Sequence, residues 1–209
     1  MTLVLNGEVQ KSINIIKQNR KKNNFKFFNE NLLLLIDNIK KKNFKQNIEL
    51  LYELQKYQEY SDYNYIIYEV LNNYNDLFLK GKPNSDKKNL GKLSLINEAF
   101  EYCYLNLPET EKKFKNLINS DGAGYTRYLF FYLNNLIYKK DFKSAVHTLK
   151  KINVLDSNLL VQQSKQWIEN SSFNKFNNFF SCGNEADIIA EFFFLISNFY
   201  AAEGNFKKS

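Results

Sequence analysis

The chain has 209 residues, 44% of them hydrophobic and 24% charged, and carries a formal net charge of +7. That balance supplies enough apolar mass for a core and excludes a disordered tail, while seven glycines and two prolines are too few to turn the many short strands of a sandwich or barrel. Only Arg20 and Arg127 stand among the 29 basic residues, so the charge is lysine charge; asparagine is abundant too, an AT-rich genome accounts for both, and the near absence of arginine argues against a nucleic-acid groove.

Taken in chain order, Met1 to Leu5 has neither a basic segment nor a long apolar one, so no signal peptide is visible. Gly7-Glu8-Val9-Gln10-Lys11-Ser12 then reads as turn, polar, apolar, two polar, small. Lys17 to Lys26 is the densest basic run and has two readings: a solvated helix end that complements the helix dipole, or a contact for anionic lipid or RNA. After the apolar run Leu32 to Ile36, Lys42-Asn43-Phe44-Lys45-Gln46-Asn47 repeats the first hexamer. Ser61 to Leu79 and Leu90 to Leu105 carry apolar residues at helical spacing. Between them, 80–89 collects glycine, proline, serine and charge, so the expected organisation is helices over 1–79, a loop over 80–89, and helices over 90–209.

Pro108-Glu109-Thr110-Glu111 reads as the start of a short helix running to Ile118. Gly122-Ala123-Gly124 has no strand before it and no Lys-Ser or Lys-Thr after it, so it reads as a turn and not a phosphate loop. The hexamer returns at Lys140-Asp141-Phe142-Lys143-Ser144-Ala145 and at Gly204-Asn205-Phe206-Lys207-Lys208-Ser209. Trp167, the phenylalanines at 173, 176, 179 and 180, and Phe192 to Phe194 read as packing residues, with a groove lining as the alternative. Cys103 and Cys182 sit in no metal or redox spacing and are expected to be lone buried thiols. No stretch approaches the roughly 20 unbroken apolar residues of a membrane span.

Lys42 follows Gly7 by 35 residues, Lys140 follows Lys42 by 98, and Gly204 follows Lys140 by 64. These intervals are close to one, three and two units of about 34 residues. Upstream of Gly204, the residues Phe193, Ile196, Ser197 and Tyr200 supply a bulky, an aliphatic, a small and an aromatic side chain at helical spacing. Upstream of Lys140 the corresponding residues are Leu129, Tyr132, Leu133 and Leu136, with Leu133 large where a small residue is preferred; upstream of Lys42 the apolar run is out of register by one. On these residues the chain resembles the tetratricopeptide repeat family over about half its length. The resemblance implies an all-α fold, a right-handed superhelix of stacked antiparallel hairpins with about ten to twelve helices. It also implies that Val9, Phe44, Phe142 and Phe206 plug the hairpins, with Phe142 and Phe206 buried there. Both terminal hexamers look like halves of a hairpin, so more protein is expected on either side.

Function, on that resemblance, follows from the concave wall, which holds a peptide or partner protein. The positions that face such a groove are Arg127, Phe130, Asn134, Ile137 and Tyr138 in one unit and Glu191, Phe194, Asn198, Ala201 and Ala202 in another. Asn134 and Asn198 recur at the same place and could grip an extended backbone through their amides, or simply reflect an asparagine-rich chain. No catalytic, cofactor or metal site is expected: His147 has no partner at a motif spacing, and carboxylates such as Glu49 and Glu53 lie beside lysines. The reading is a non-catalytic binding scaffold, cytoplasmic or periplasmic. The alternatives are the helical part of an envelope assembly factor or of an enzyme whose active domain lies elsewhere.

Overall fold

A computed structural model describes residues 2–22, 27–84, 86–119, 127–151 and 159–204. Among them every regular element is helical and no strand occurs. The chain divides into two compact units, Met1–Lys88 and Asn89–Ser209. The expected turn at Gly122 to Gly124, the plug at Phe206 and the end of the basic run at 23–26 lie outside the described residues.

In the first unit, α1 (Thr2–Leu5) is followed by α2 (Val9–Lys22), α3 (Phe28–Lys40), α4 (Asn47–Gln55) and α5 (Asp62–Lys80), with single 3-10 turns at Phe44–Gln46 and Gln58–Tyr60. Each helix packs on the next. The core is aliphatic and includes Leu35, Ile39, Leu51, Leu54, Val70, Leu71 and Leu77, with Tyr74 among them. Asn47 and Asn75 are buried in that core because one amide donates to the other at 3.0 Å, tying α4 to α5. Ser61 starts α5 by accepting from the Tyr63 N–H, and Gly81, at φ 62°, ends it.

In the second unit, α6 (Lys92–Tyr104), α7 (Thr110–Asn119), α8 (Arg127–Tyr138), α9 (Phe142–Lys151), α10 (Leu159–Glu169), α11 (Asn174–Phe179) and α12 (Glu185–Ala202) follow. The centre is α8, on which α7, α9, α10 and α11 all pack and in which every residue from Tyr128 to Ile137 is buried. Aromatic rings fill the space around it. Phe100 meets Phe131 edge-on at 5.0 Å, Phe131 meets Phe180 at 4.7 Å, and Phe130 stacks on Phe176 at 5.9 Å. Burying each such ring contributes roughly 1.5–3 kcal/mol, and the edge-on pairs add about 0.5–1.5 kcal/mol each.

One backbone device makes the hairpins. At Gly7, Lys42, Asn106, Lys140, Ser171 and Gly204 the chain leaves a helix in the left-handed conformation, with φ between 50° and 78°. After Lys42, the Asn43 N–H donates back to Asn38 O at 2.8 Å while Lys42 N–H donates to Ile39 O at 2.9 Å. The same two bonds occur at Gly7, Asn106, Lys140 and Ser171: Glu8 to Leu3, Leu107 to Tyr102, Asp141 to Leu136 and Ser172 to Trp167 are the long members. This double bond satisfies carbonyls that a helix end leaves open and turns the chain sharply enough for the next helix to fold back. All four hexamers read from the sequence begin on such a residue, and Asn106 and Ser171 add two turns that the hexamer pattern missed. Along the second unit these residues fall 34, 31 and 33 positions apart, from Asn106 to Lys140, Ser171 and Gly204.

Of the apolar residues expected to plug the hairpins, Phe44 is half-buried against Phe78 at 5.4 Å, whereas Val9 and Phe142 are exposed. Phe142, with which α9 begins, is 38% exposed. It stacks instead on Phe173, which holds the same place in the following hairpin, with ring centroids 4.3 Å apart. The helix expected from Pro108 begins two residues later, at Thr110, whose buried hydroxyl donates to Tyr102 O at 2.8 Å and closes the α6–α7 hairpin.

Lys140 carries a Cβ in a conformation that costs an L residue about 1–2 kcal/mol. Lys140→Gly is therefore expected to raise the unfolding free energy by about 0.5–1 kcal/mol, and Lys140→Val to lower it by about 1–2 kcal/mol. Chemical denaturation of the three proteins checks both signs.

Candidate functional site

The residues expected to line one groove are separated by their surroundings. Phe130 and Asn134 point from α8 towards α11 and are fully buried. The Asn134 amide donates to Phe176 O at 3.0 Å and to Phe180 O at 2.8 Å. It thereby gives a donor to the Phe180 carbonyl, just past the end of α11, and a second one to Phe176 O, which already accepts from the Phe180 N–H. Phe179 closes over Phe130 from the same helix, at 5.2 Å. The chain's own α11 thus fills the face of α8 that was expected to hold a peptide. Ile137 is buried as well, whereas Tyr138, at 62% exposure, and Asn198 are exposed. Asn134 and Asn198 are not a matched pair.

Three of the expected residues do come together. Arg127 holds Glu191 with two charged hydrogen bonds, Nε to Oε1 at 2.8 Å and Nη2 to Oε2 at 2.6 Å, and its guanidinium lies over the Phe194 ring at 3.9 Å. Burial pushes the Glu191 carboxyl above the usual carboxylate range, against the opposing pull of Arg127. A buried acid held by one partner is costly to leave unpaired, so this cluster clamps α8 to α12. Only Phe194, 41% exposed, and part of Arg127 remain open to a ligand. The second clamp on α12 is the Tyr104 hydroxyl, which donates to Glu185 at 3.1 Å; burial, reinforced by that carboxylate, pushes the phenol up to about 12.

Cys103 and Cys182 correct a further expectation. They are buried, but they are bonded to each other as a disulfide across 79 residues. No local spacing could reveal a partner that folding, and not sequence proximity, brings near. Trp167, half-buried, packs on Phe176 and Phe179, and His147 is exposed on α9 beside Lys143 and Lys150 in an open cleft of about 520 Å³. Of the basic run, Lys17 is held by Asp37 at 3.1 Å and Arg20 by Asn31. Burial raises Asp37, but the hydrogen bonds from Lys41 and Lys17 outweigh it and hold the carboxyl below its ordinary value.

Another concavity lies in the first unit. A cleft of about 770 Å³ is bounded by Lys17 of α2, Leu34 and Asn38 of α3, Lys45 and Gln46, and by Ile48, Glu49 and Tyr52 of α4. α4 buries Asn47, Leu50, Leu51 and Leu54 on its core face. Ile48 and Tyr52, one helical turn apart, stand on the other side, 61% and 62% exposed, with the Lys56 ammonium 4.7 Å from the Tyr52 ring. The sequence signal for them was present but not used: Asn47–Gln55 is apolar on both faces, more than one core contact requires. Among the described residues no group of three or more His, Cys, Asp or Glu could hold a metal ion, and no helix is long and apolar enough to cross a membrane.

Comparison with known proteins gives no match to any family model, curated protein or solved structure.

Two substitutions separate the expected groove from the observed packing. Asn134→Ala is expected to cost about 1–3 kcal/mol, since it takes the Asn134 donor from the Phe180 carbonyl and leaves Phe176 O with the Phe180 N–H alone, whereas Asn198→Ala stays within about 0.5 kcal/mol of the parent in urea denaturation. Arg127→Leu is expected to cost about 3–5 kcal/mol near neutral pH by leaving Glu191 charged and buried. Because the Glu191 pKa is raised, protonation on lowering the pH relieves that charge, so the deficit of Arg127→Leu relative to the parent should shrink towards acid pH.

Proposed function

We propose that this chain is a non-catalytic scaffold, a tetratricopeptide-like α-solenoid of stacked hairpins, that binds a protein or peptide partner. The repeated left-handed turn, with its paired hydrogen bonds, supports the repeat reading, and so does the stacking of Phe142 on Phe173 at equivalent places in successive hairpins. The binding surface differs from the one the family pattern suggested. With α11 lying on α8, the surface best suited to a partner is the α4 wall of the first-unit cleft.

The observation that carries this reading is the exposed Ile48–Tyr52 pair on a helix whose opposite face already fills the core. An isoleucine and a tyrosine on adjacent turns offer an amphipathic anchor of the kind that dominates interface energies. Lys45 and Glu49, which line the same cleft, favour a partner segment with an apolar side chain flanked by a carboxylate and a basic group. Shape complementarity would then come from the cleft and orientation from these two charges.

Photocrosslinking tests this. With benzoylphenylalanine in place of Tyr52, a discrete adduct with one protein is expected from native lysate, and Ile48→Ala should reduce its yield by about tenfold. The same probe at Leu159, exposed but outside the cleft, should give no such adduct. Equal adducts at both positions, or none at position 52, would overturn the assignment.

A further inference from the structure

We propose that this chain works in an oxidising compartment, where an oxidised dithiol–disulfide exchange protein installs the Cys103–Cys182 bond. The inference does not depend on the scaffold reading. The sequence contains two cysteines in all, and both are in the bond, so no thiol is left to mispair. Cys103 lies near the end of α6 and Cys182 in the short link between α11 and α12. Their pairing closes a loop that spans most of the second unit, and longer loops restrict the unfolded chain more.

The link is anchored on both sides of Cys182, which places its sulfur against Cys103. Before it, Phe180 O accepts from Asn134 at 2.8 Å. Also before it, the Ser181 N–H donates to Asp187 of α12 at 2.9 Å; after it, Glu185 accepts from Tyr104, the residue next to Cys103. The Asn135 amide, buried beside them, donates to Cys103 Sγ at 3.4 Å. Hydrogen bonds from amide, hydroxyl and backbone donors, two of them to the carboxylates of Asp187 and Glu185, therefore hold the segments that bring the two sulfurs together. With relative exposures of 5% and 8%, the finished bond is shielded from attacking thiolates, which fits a permanent crosslink better than a switch that opens and closes.

Formation needs an electron acceptor, and the partner supplies it. One cysteine thiolate attacks a sulfur of the partner's disulfide, and the partner's other sulfur departs as a thiolate. The second cysteine thiolate then attacks the mixed disulfide, forming the Cys103–Cys182 bond and releasing the partner's remaining sulfur. Two protons and two electrons leave the chain, and the partner ends as a dithiol. Bonds of this kind persist in secretory, periplasmic and other oxidising compartments and are kept reduced in the cytosol of most cells.

The test is thiol trapping in the organism that makes the protein. Cells are quenched in acid, the denatured protein is alkylated with a maleimide polymer, and its mobility is read by immunoblot with and without prior reduction. The expected result is no shift before reduction and a shift of two polymers after it. A two-polymer shift without reduction would overturn the proposal. As a second measurement on the purified chain, reduction with dithiothreitol should lower Tm by roughly 5–15 °C, and the C103S/C182S double variant should melt with the reduced parent. Equal Tm for oxidised and reduced parent would contradict the crosslink's part in holding the link.

Discussion

The hydrogen bond from the first residue beyond a left-handed helix end back to a carbonyl five residues earlier is the constraint on which the hairpins depend. It occurs at Glu8, Asn43, Leu107, Asp141 and Ser172, each time beside a residue with φ between 50° and 78°. Reversal at these points lets α3 meet α4, α6 meet α7 and α8 meet α9, which is how short amphipathic helices find cover for their apolar faces. Lysine, asparagine and serine hold four of the positions despite a Cβ that disfavours them. The bonds made on either side, and the packing that follows reversal, over-determine the conformation at these residues.

In the second unit, reversal alone would leave α8 with an open face, and the aromatic residues of α11 close it. Phe176 is fully buried against Phe130 and Trp167, and Phe180 against Phe131 and Phe100. A helix of six residues leaves most of its carbonyls without backbone donors, and Asn134 supplies one to Phe180 O and a second one to Phe176 O. The cost of burying an amide is offset by giving both of its donors a carbonyl. Arg127, Glu191 and the disulfide then fix α12 and the link before it, so the same unit is held by apolar packing, an ion pair and a covalent bond.

Much of this was legible in the residues. The hexamers at Gly7, Lys42, Lys140 and Gly204 mark helix ends because glycine and flexible polar residues tolerate the left-handed conformation, and all four are found there. The turns at Asn106 and Ser171 escaped because Pro108 stands where the pattern wants a large apolar residue and Phe176 where it wants a small one. Asn134 and Asn198 are alike by position and unlike by environment, since a pattern along one helix carries no information about which other helix will lie across it. The same limit hid the disulfide, whose cysteines are adjacent only after α6 and the α11–α12 link have been placed. Ile48 and Tyr52 were readable as surplus apolar residues on α4, but a periodicity search aimed at the core passes over the face that the core does not use.

Amide hydrogen exchange, resolved residue by residue in the native protein, tests the turn device most directly. The N–H groups of Asn43, Leu107, Asp141 and Ser172 lie just outside their helices, and Asn43 and Asp141 are on exposed residues. Exchange slowed at least about tenfold relative to an unstructured chain at all four is the expected result, because each donates to a helix carbonyl. Exchange at the unstructured rate at these amides, with the flanking helices still protected, would show that the hairpins are not closed by these bonds.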